Sequence, residues 1–372
     1  MGNCTFESNK SDNTSTTLIS KNNFMYHYVI GKGGFGKVWK VEKKKSPTRY
    51  AMKEMSKARI LAKRSVTSVM NERKLLNKLK HPFLVNMCYA FQDRETLYLV
   101  MDLLTGGDMR YHIGIRQKFT EAETKFIIQC LVIGLEYMHN NSVIHRDIKP
   151  ENLVLDENGY VRITDMGIAR IWNKENSKET SGTPGYMAPE VMCRQNHSFV
   201  ADYFAVGVIA FEMMMGRRPY IGKSRKEIRD HIFQKQVQIK KYDLPEDWSF
   251  EAADFINKLL QRKPANRLGL NGPEEVKSHI WLKDTDWDAL TKKKLTAPYI
   301  PDTDNDNFDA LQANASDKWN DENRDLLKIH TLELKNLKTQ ELFKMTEETE
   351  KKPVKAPLKP PRKHKRVFSV QW

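Results

Sequence analysis

The sequence predicts an α+β protein of two lobes, a small β-rich one followed by a larger helical one, with a cleft between them. Three observations carry this expectation. From Phe24 to about Val100, short runs rich in Val, Tyr, Met and Leu are separated by turn residues and interrupted by one helix-period stretch near 65–79. After Gly106-Gly107 the apolar residues recur at helical spacing, as in EAETKFIIQCLVIGLEYMHNN, FVADYFAVGVIAFEMMMG and FEAADFINKLLQR. The first strand runs into IGKGGFGKV, a GxGxxG loop whose glycines let backbone N–H groups approach a polyphosphate.

Composition narrows the class. Apolar residues make up 40% of the 372, with seven tryptophans, which indicates a folded chain with a sizeable core. The longest apolar run, IIQCLVIGL at 127–135, is too short to span a bilayer. Residues 1–23 are polar, so a disordered N-terminal segment without a secretory signal is expected. Cys4, Cys88, Cys130 and Cys193 lie far apart and form no CxxC pair, which fits reduced thiols and a cytoplasmic protein. The net charge of +15 is concentrated at one end, since Lys351 to Arg366 holds eight Lys or Arg and no acid. That is a basic, proline-containing tail rather than a basic domain, and nucleic acid is not an expected partner.

In chain order, FMYHYVIG leads into the glycine loop and KVWKVEKKK follows it. Val38, Trp39 and Val41 favour a second strand, KKKSPT a turn, and RYAMKEM a third strand. A strand–loop–strand is a hairpin flap, whereas a dinucleotide fold leads its glycines into a helix. On the third strand Ala51 and Lys53 share a face; Ala51 leaves room for a flat ring, and Lys53 reaches toward phosphate oxygens. In SVTSVMNERKLLNKLK, Val69, Glu72, Leu76 and Leu79 form one stripe. A carboxylate on an apolar stripe is costly without a cation, and Lys53 is the natural partner. Residues 282–312 are expected to be an irregular extension containing PYIPDTDNDNFD. Residues 313–372 are read as a charged helix at about 321–349 followed by the basic tail.

The large lobe carries VIHRDIKPENL at 143–153 and VRITDMG at 161–167. With the GxGxxGxV loop and the AMK strand, these motifs resemble the eukaryotic protein kinase family over residues 25–281, placing the domain at 24–281. TSGTPGYMAPE at 180–190, DYFAVG at 202–207 and RKPANRLG at 262–269 match as well. The resemblance implies the bilobal protein-kinase fold and transfer of the γ-phosphate of ATP, with Mg2+, to Ser or Thr hydroxyls of proteins. It implies that Asp147 takes the hydroxyl proton, that Lys149 neutralises the moving phosphate, and that Lys53 is held by Glu72. Asn152 and Asp165 would bind magnesium through oxygen. Ile30, Gly31, Lys32, Gly33, Gly34, Phe35, Gly36 and Lys37 would cover the nucleotide. Val38 and Ala51 would sandwich the adenine with Val154, while Asp102 and Leu104 offer backbone hydrogen bonds behind the gatekeeper Met101. His145, Leu76, Met87 and Met166 correspond to side chains stacked between the lobes; Met166 stands where the family usually has Phe and is expected to fill the same gap. Glu190 should pair with Arg267, and Asp202 should anchor the catalytic loop.

Glu179, Thr180 and Thr183 fall in the activation loop by the same resemblance. Glu179 stands where relatives carry an activating phosphothreonine, facing a basic pocket of Arg146 and Arg170, so partly autonomous activity is expected; phosphorylation of Thr180 or Ser181 is the alternative. HPFLVNMCYAFQD, TGGDM and the extension resemble the AGC group, with Phe308 near the adenine although Leu311 replaces a common aromatic. DLLTGGDMRYH and GRRPY look most like its branch called yet another novel kinase. VFSVQW lacks the usual FxxF spacing. Asp108, Glu151 and Asp230 match acids that receive basic residues before the acceptor, implying basophilic protein substrates; a monomer is expected. MGNC resembles an acylation start at Gly2 and Cys4, although Phe6 departs from the pattern, and with the basic tail it implies peripheral membrane contact. The rival reading is a catalytically weak scaffold of kinase fold, although Lys53, Asp147 and Asp165 are all present.

Overall fold

A five-stranded antiparallel sheet forms the small lobe: β1 (Phe24–Lys32), β2 (Gly36–Lys43), β3 (Arg49–Ser56), β4 (Met87–Gln92) and β5 (Thr96–Asp102), in the order β1-β2-β3-β5-β4. The computed structural model describes residues 19–174, 178–302 and Asn307, all within the unit Met1–His330. Register assigns the two faces of the sheet. Val38 lies opposite Lys53, Ala51 opposite Met101, and Lys53 opposite Leu99, so these side chains share one face. The other face carries Val41, Met52, Tyr98 and Val100, which pack with Phe24 and Phe91 into an apolar cluster. Ile19 packs on that cluster, and a 3-10 turn at Lys21–Asn23 precedes β1. Order therefore begins before Phe24, inside the segment expected to be disordered through residue 23.

Two helices cross between β3 and β4. The expected one is α2 (Val66–Lys78), which buries Val69, Glu72, Leu75 and Leu76. The other, α1 (Lys57–Ala62), was not anticipated; the Ser56 hydroxyl caps it by accepting from Arg59 N. Six residues are too few to show a period, but Ser56 as a cap was the available signal.

The large lobe follows with α3 (Met109–Arg116), α4 (Glu121–Asn140), the short strands β6 (Val143–Ile144), β7 (Leu153–Leu155), β8 (Val161–Ile163) and β9 (Arg170–Ile171), and then α5 (Pro189–Met192), α6 (Val200–Met215), α7 (Arg225–Gln234), α8 (Phe250–Leu259) and α9 (Pro273–Lys277). Thr120 and Glu123 start α4 with a reciprocal cap, at 3.3 and 2.8 Å. Helix α6 is buried from Val200 to Met214, apolar on every side except for Asp202 and Glu212, and forms the lobe's centre. Among the described residues, no helix is long and apolar enough to cross a membrane. The 282–312 segment is not wholly irregular: α10 (Trp287–Thr291) lies within it, capped by Asp286 on Ala289 N at 2.9 Å. Gly2, Cys4, Phe308, Leu311, the 321–349 helix and the basic tail lie outside the described residues.

Candidate active site

The glycine loop closes the β1–β2 hairpin, as the strand–loop–strand pattern requires. Gly33 N donates to Gly36 O at 2.8 Å. A Cβ at Gly36 would stand 1.6 Å from the Glu54 carbonyl, so only glycine allows the hairpin to lie this close to β3. Ile30, Gly31 and Lys32 end β1, Gly36, Lys37 and Val38 begin β2, and Gly33, Gly34 and Phe35 form the turn between them. From α1, Lys63 donates to the Gly34 carbonyl at 2.8 Å with its ammonium over the Phe35 ring. Sequence reading missed this clamp, because nothing in a six-residue helix signals which loop its end reaches.

Beneath the flap, Lys53 Nζ meets Glu72 Oε1 at 2.6 Å, joining β3 to α2 as the buried carboxylate demands. Burial alone would push the Lys53 ammonium down, but the Glu72 and Asp165 carboxylates outweigh it and hold it above its ordinary value. Helix α2 is also tied to the segment after Asp165: Asn71 Nδ2 donates to Ala169 O at 2.8 Å and Arg170 reaches Ser68. At the back of the cleft Met101 is buried. Asp102 N donates to Asn86 O at 3.1 Å, so its N–H is already engaged within the chain. The Asp102 carboxylate accepts from Asn86 and pairs with Arg162 of β8, a link across the hinge that the sequence did not signal. Leu104 follows in the hinge. Val154 lies on β7, which runs beside 106–108 through Leu155 N to Gly107 O at 2.9 Å.

The catalytic loop hangs from α6. Asp202 accepts from His145 N at 2.9 Å and Arg146 N at 2.8 Å, and its Oδ2 also meets the His139 ring at 2.9 Å. Burial would raise this carboxyl, but His139 and His145 hold it below the usual range. Asp147 is thereby presented with defined partners: Lys149 Nζ at 2.7 Å, Thr183 Oγ1 at 2.7 Å and Asn152 Nδ2 at 3.1 Å. Lys149 donates to the same Thr183 hydroxyl at 2.9 Å. Thr183, expected only as an activation-loop residue, thus joins the catalytic group. His145, Leu76 and Met166 are buried while Met87 is half-buried, and Met166 at 1% exposure occupies an interior gap.

For a divalent ion the donor set fits magnesium. Asn152 directs its amide nitrogen to Asp147, leaving its amide oxygen. Asp165 takes Gly167 N on one oxygen, and although burial opposes ionisation, Lys53 and that N–H hold the carboxyl below its ordinary value. Among the described residues no group of three or more His, Cys, Asp or Glu could hold a metal. Two oxygens completed by phosphates is the arrangement a hard, hydrated ion accepts.

Further along, Glu179 meets Arg146 Nη1 at 2.6 Å. The second expected arginine does not join it; Arg170 bonds the Ala169 carbonyl and Ser68, and Glu179 acts on it only through space. Thr180 donates to Val191 O at 3.3 Å. Glu190 and Arg267 form a bidentate pair at 2.7 and 2.9 Å.

Each of the three acids expected to receive basic substrate residues has a partner within the chain. Asp108 caps α3 by accepting from Tyr111 N at 3.0 Å, and burial raises its carboxyl. Glu151 accepts from Arg110 at 3.0 Å, and Asp230 pairs with its neighbour Arg229 at 3.5 Å.

Residues 24–282 match the family described as protein kinase domain. A probable serine/threonine-protein kinase of Dictyostelium discoideum is 37% identical over 81% of this chain and 67% of its own length. Human ribosomal protein S6 kinase alpha-1 is 40% identical over 73% of this chain, and the serine/threonine-protein kinase sgk-1 of Caenorhabditis elegans 37% identical over 76%. The matches span 37% and 61% of those two relatives. With the small-lobe sheet, the anchored catalytic loop and this match over most of its length, the chain belongs to the protein kinase family.

Proposed function

We propose that the chain is a serine/threonine protein kinase that transfers the γ-phosphoryl group of ATP to protein hydroxyls. The observation that carries this reading is the joint engagement of Asp147 by Lys149 and Thr183, which holds a proton acceptor beside a cation. The acceptor oxygen attacks the γ-phosphorus, its proton passes to Asp147, and the bond to the β-phosphate oxygen breaks as ADP leaves. Lys149 meets the charge on the moving group, and Lys53 holds the remaining phosphates. Magnesium, for which Asn152 and Asp165 offer oxygens, supplies further charge neutralisation when bound. Labelling of serine- and threonine-containing peptides from γ-labelled ATP tests this; a scaffold of the same fold would label none.

The Arg146–Glu179 contact supports activity without an upstream kinase, because a fixed carboxylate occupies the position a phosphate would take. Phosphatase treatment should leave activity, and complete inactivation would refute this. Membership of the AGC group and of its yet another novel kinase branch rests on TGGDM, DLLTGGDMRYH and GRRPY. A preference for basic residues before the acceptor would need carboxylates with no cation of their own; Asp108 caps α3, and Glu151 and Asp230, though partly exposed, each already face an arginine. A cytoplasmic enzyme touching the membrane through Gly2, Cys4 and the basic tail is our reading of the termini, tested by fractionating Gly2→Ala.

A further inference from the structure

Arg110, on the first turn of α3, reaches two carboxylates and a phenol. Its Nε donates to Glu151 at 3.0 Å, its Nη1 to one oxygen of Glu212 at 3.0 Å, and its Nη2 to the other at 3.3 Å and to the Tyr186 hydroxyl. Tyr186 in turn donates to Glu212 at 2.6 Å. Glu212 is buried on α6, where a lone carboxylate is costly, so the sequence must supply a cation to it. Although burial opposes a charged guanidinium here, Glu212, Tyr186 and Glu151 keep Arg110 more firmly protonated than usual.

The cluster adjoins the catalytic group on two sides. Glu151 lies four residues beyond Asp147, and Tyr186 three beyond the Thr183 that bonds Asp147. The cluster therefore borders the point at which an acceptor hydroxyl would meet Asp147. Both oxygens of Glu212 are taken, leaving the half-exposed outer side of Glu151 as the acidic surface a peptide meets. A second arginine, Arg218, lies across Gly185, where a Cβ would stand 2.1 Å from its Nη1, with its guanidinium 5.8 Å from the Tyr186 ring centroid. Arg110 thus pairs with both Glu151 and Glu212, and Arg218 adds a second positive charge beside Tyr186.

We propose that Arg110 is a specificity-determining residue: it fills, from within the chain, the acidic site beside the catalytic loop, so that acceptor peptides gain nothing from an arginine there. The inference rests on the kinase reading above. Its test compares serine peptides with alanine flanks against the same peptides carrying one arginine at each of the four preceding positions. The readout is the ratio of kcat/KM for the arginine and alanine peptides, in which a general loss of activity cancels. Wild type should show a ratio within about twofold of one at every position, and Arg110→Gln, which keeps neutral hydrogen bonds to Glu212, should raise it about tenfold at one or two positions. Arg110→Lys, which keeps the charge, should stay near wild type. A strong arginine preference in wild type, which needs no variant to fold, would overturn the inference, as would a ratio unmoved by Arg110→Gln. Transfer to no peptide at all by wild type would overturn the kinase reading and this inference with it.

Discussion

Two buried ion pairs of similar length, Lys53–Glu72 at 2.6 Å and Arg267–Glu190 at 2.7 and 2.9 Å, do different work in this molecule. Arg267 is fully buried, and its remaining donors reach the carbonyls of Gln261, Arg262 and Val200. A saturated fork has nothing left for a ligand, so the pair holds α5 to the end of the large lobe and nothing more. Lys53 meets Glu72 through one oxygen, keeps 19% of its side chain exposed on the cleft face, and also feels Asp165. Spare donors beside an opening separate a pair that only builds the fold from one with donors left for a ligand, the phosphate in our proposal.

Altering each pair should separate these roles. Lys53→Arg, which keeps a cation beside the buried Glu72 but presents a planar fork instead of a compact ammonium, should lower turnover by about 10²–10³-fold with a small fall in Tm; single-turnover kinetics and thermal melts check it. Arg267→Met should do the reverse, costing about 3–5 kcal/mol of stability by leaving Glu190 unpaired in a dry interior, measured by urea unfolding. The Arg146–Glu179 contact lies between the two types, with Arg146 buried and Glu179 half-exposed. Glu179→Gln should therefore lower kcat about three- to tenfold, as losing one charge-assisted hydrogen bond near the surface would.

Legibility in the sequence follows the same division. Lys53 and Glu72 were readable because a strand's alternation and a helix's stripe each place one residue, and the cost of a buried carboxylate joins them. The glycine hairpin was readable because residues on both sides of it favour strands. The partners of Arg110 were not, since Glu151 and Glu212 lie 41 and 102 positions away and no periodicity relates them. Asp108 resembled a substrate acid in the sequence; only the fold shows its carboxylate turned back onto Tyr111 N. Thr183 was placed in the right loop, but its bond to Asp147 depends on how that loop crosses the catalytic loop.

A smaller effect sharpens the contrast from the other sign. His81 has no carboxylate partner among its contacts; it stacks on Tyr137 at 4.5 Å and accepts from Phe83 N. Burial, with Lys293 and Arg162 nearby, lowers its pKa from 6.5 to about 4. The unfolded chain therefore binds a proton before the folded one does. Stability from this site is complete above pH 6.5 and fades as pH falls toward 4. His81→Phe should flatten the stability–pH curve across that window, as chemical denaturation at several pH values would show.

The most direct test of the account is ATP-dependent phosphorylation of a serine peptide by wild type and by Asp147→Asn, whose side chain keeps the shape but cannot take the proton. Wild type should transfer the phosphate, and the variant should lose about 10²–10⁴-fold in rate while still binding nucleotide. Equal rates for the two proteins, or no transfer by wild type to any acceptor, would contradict it.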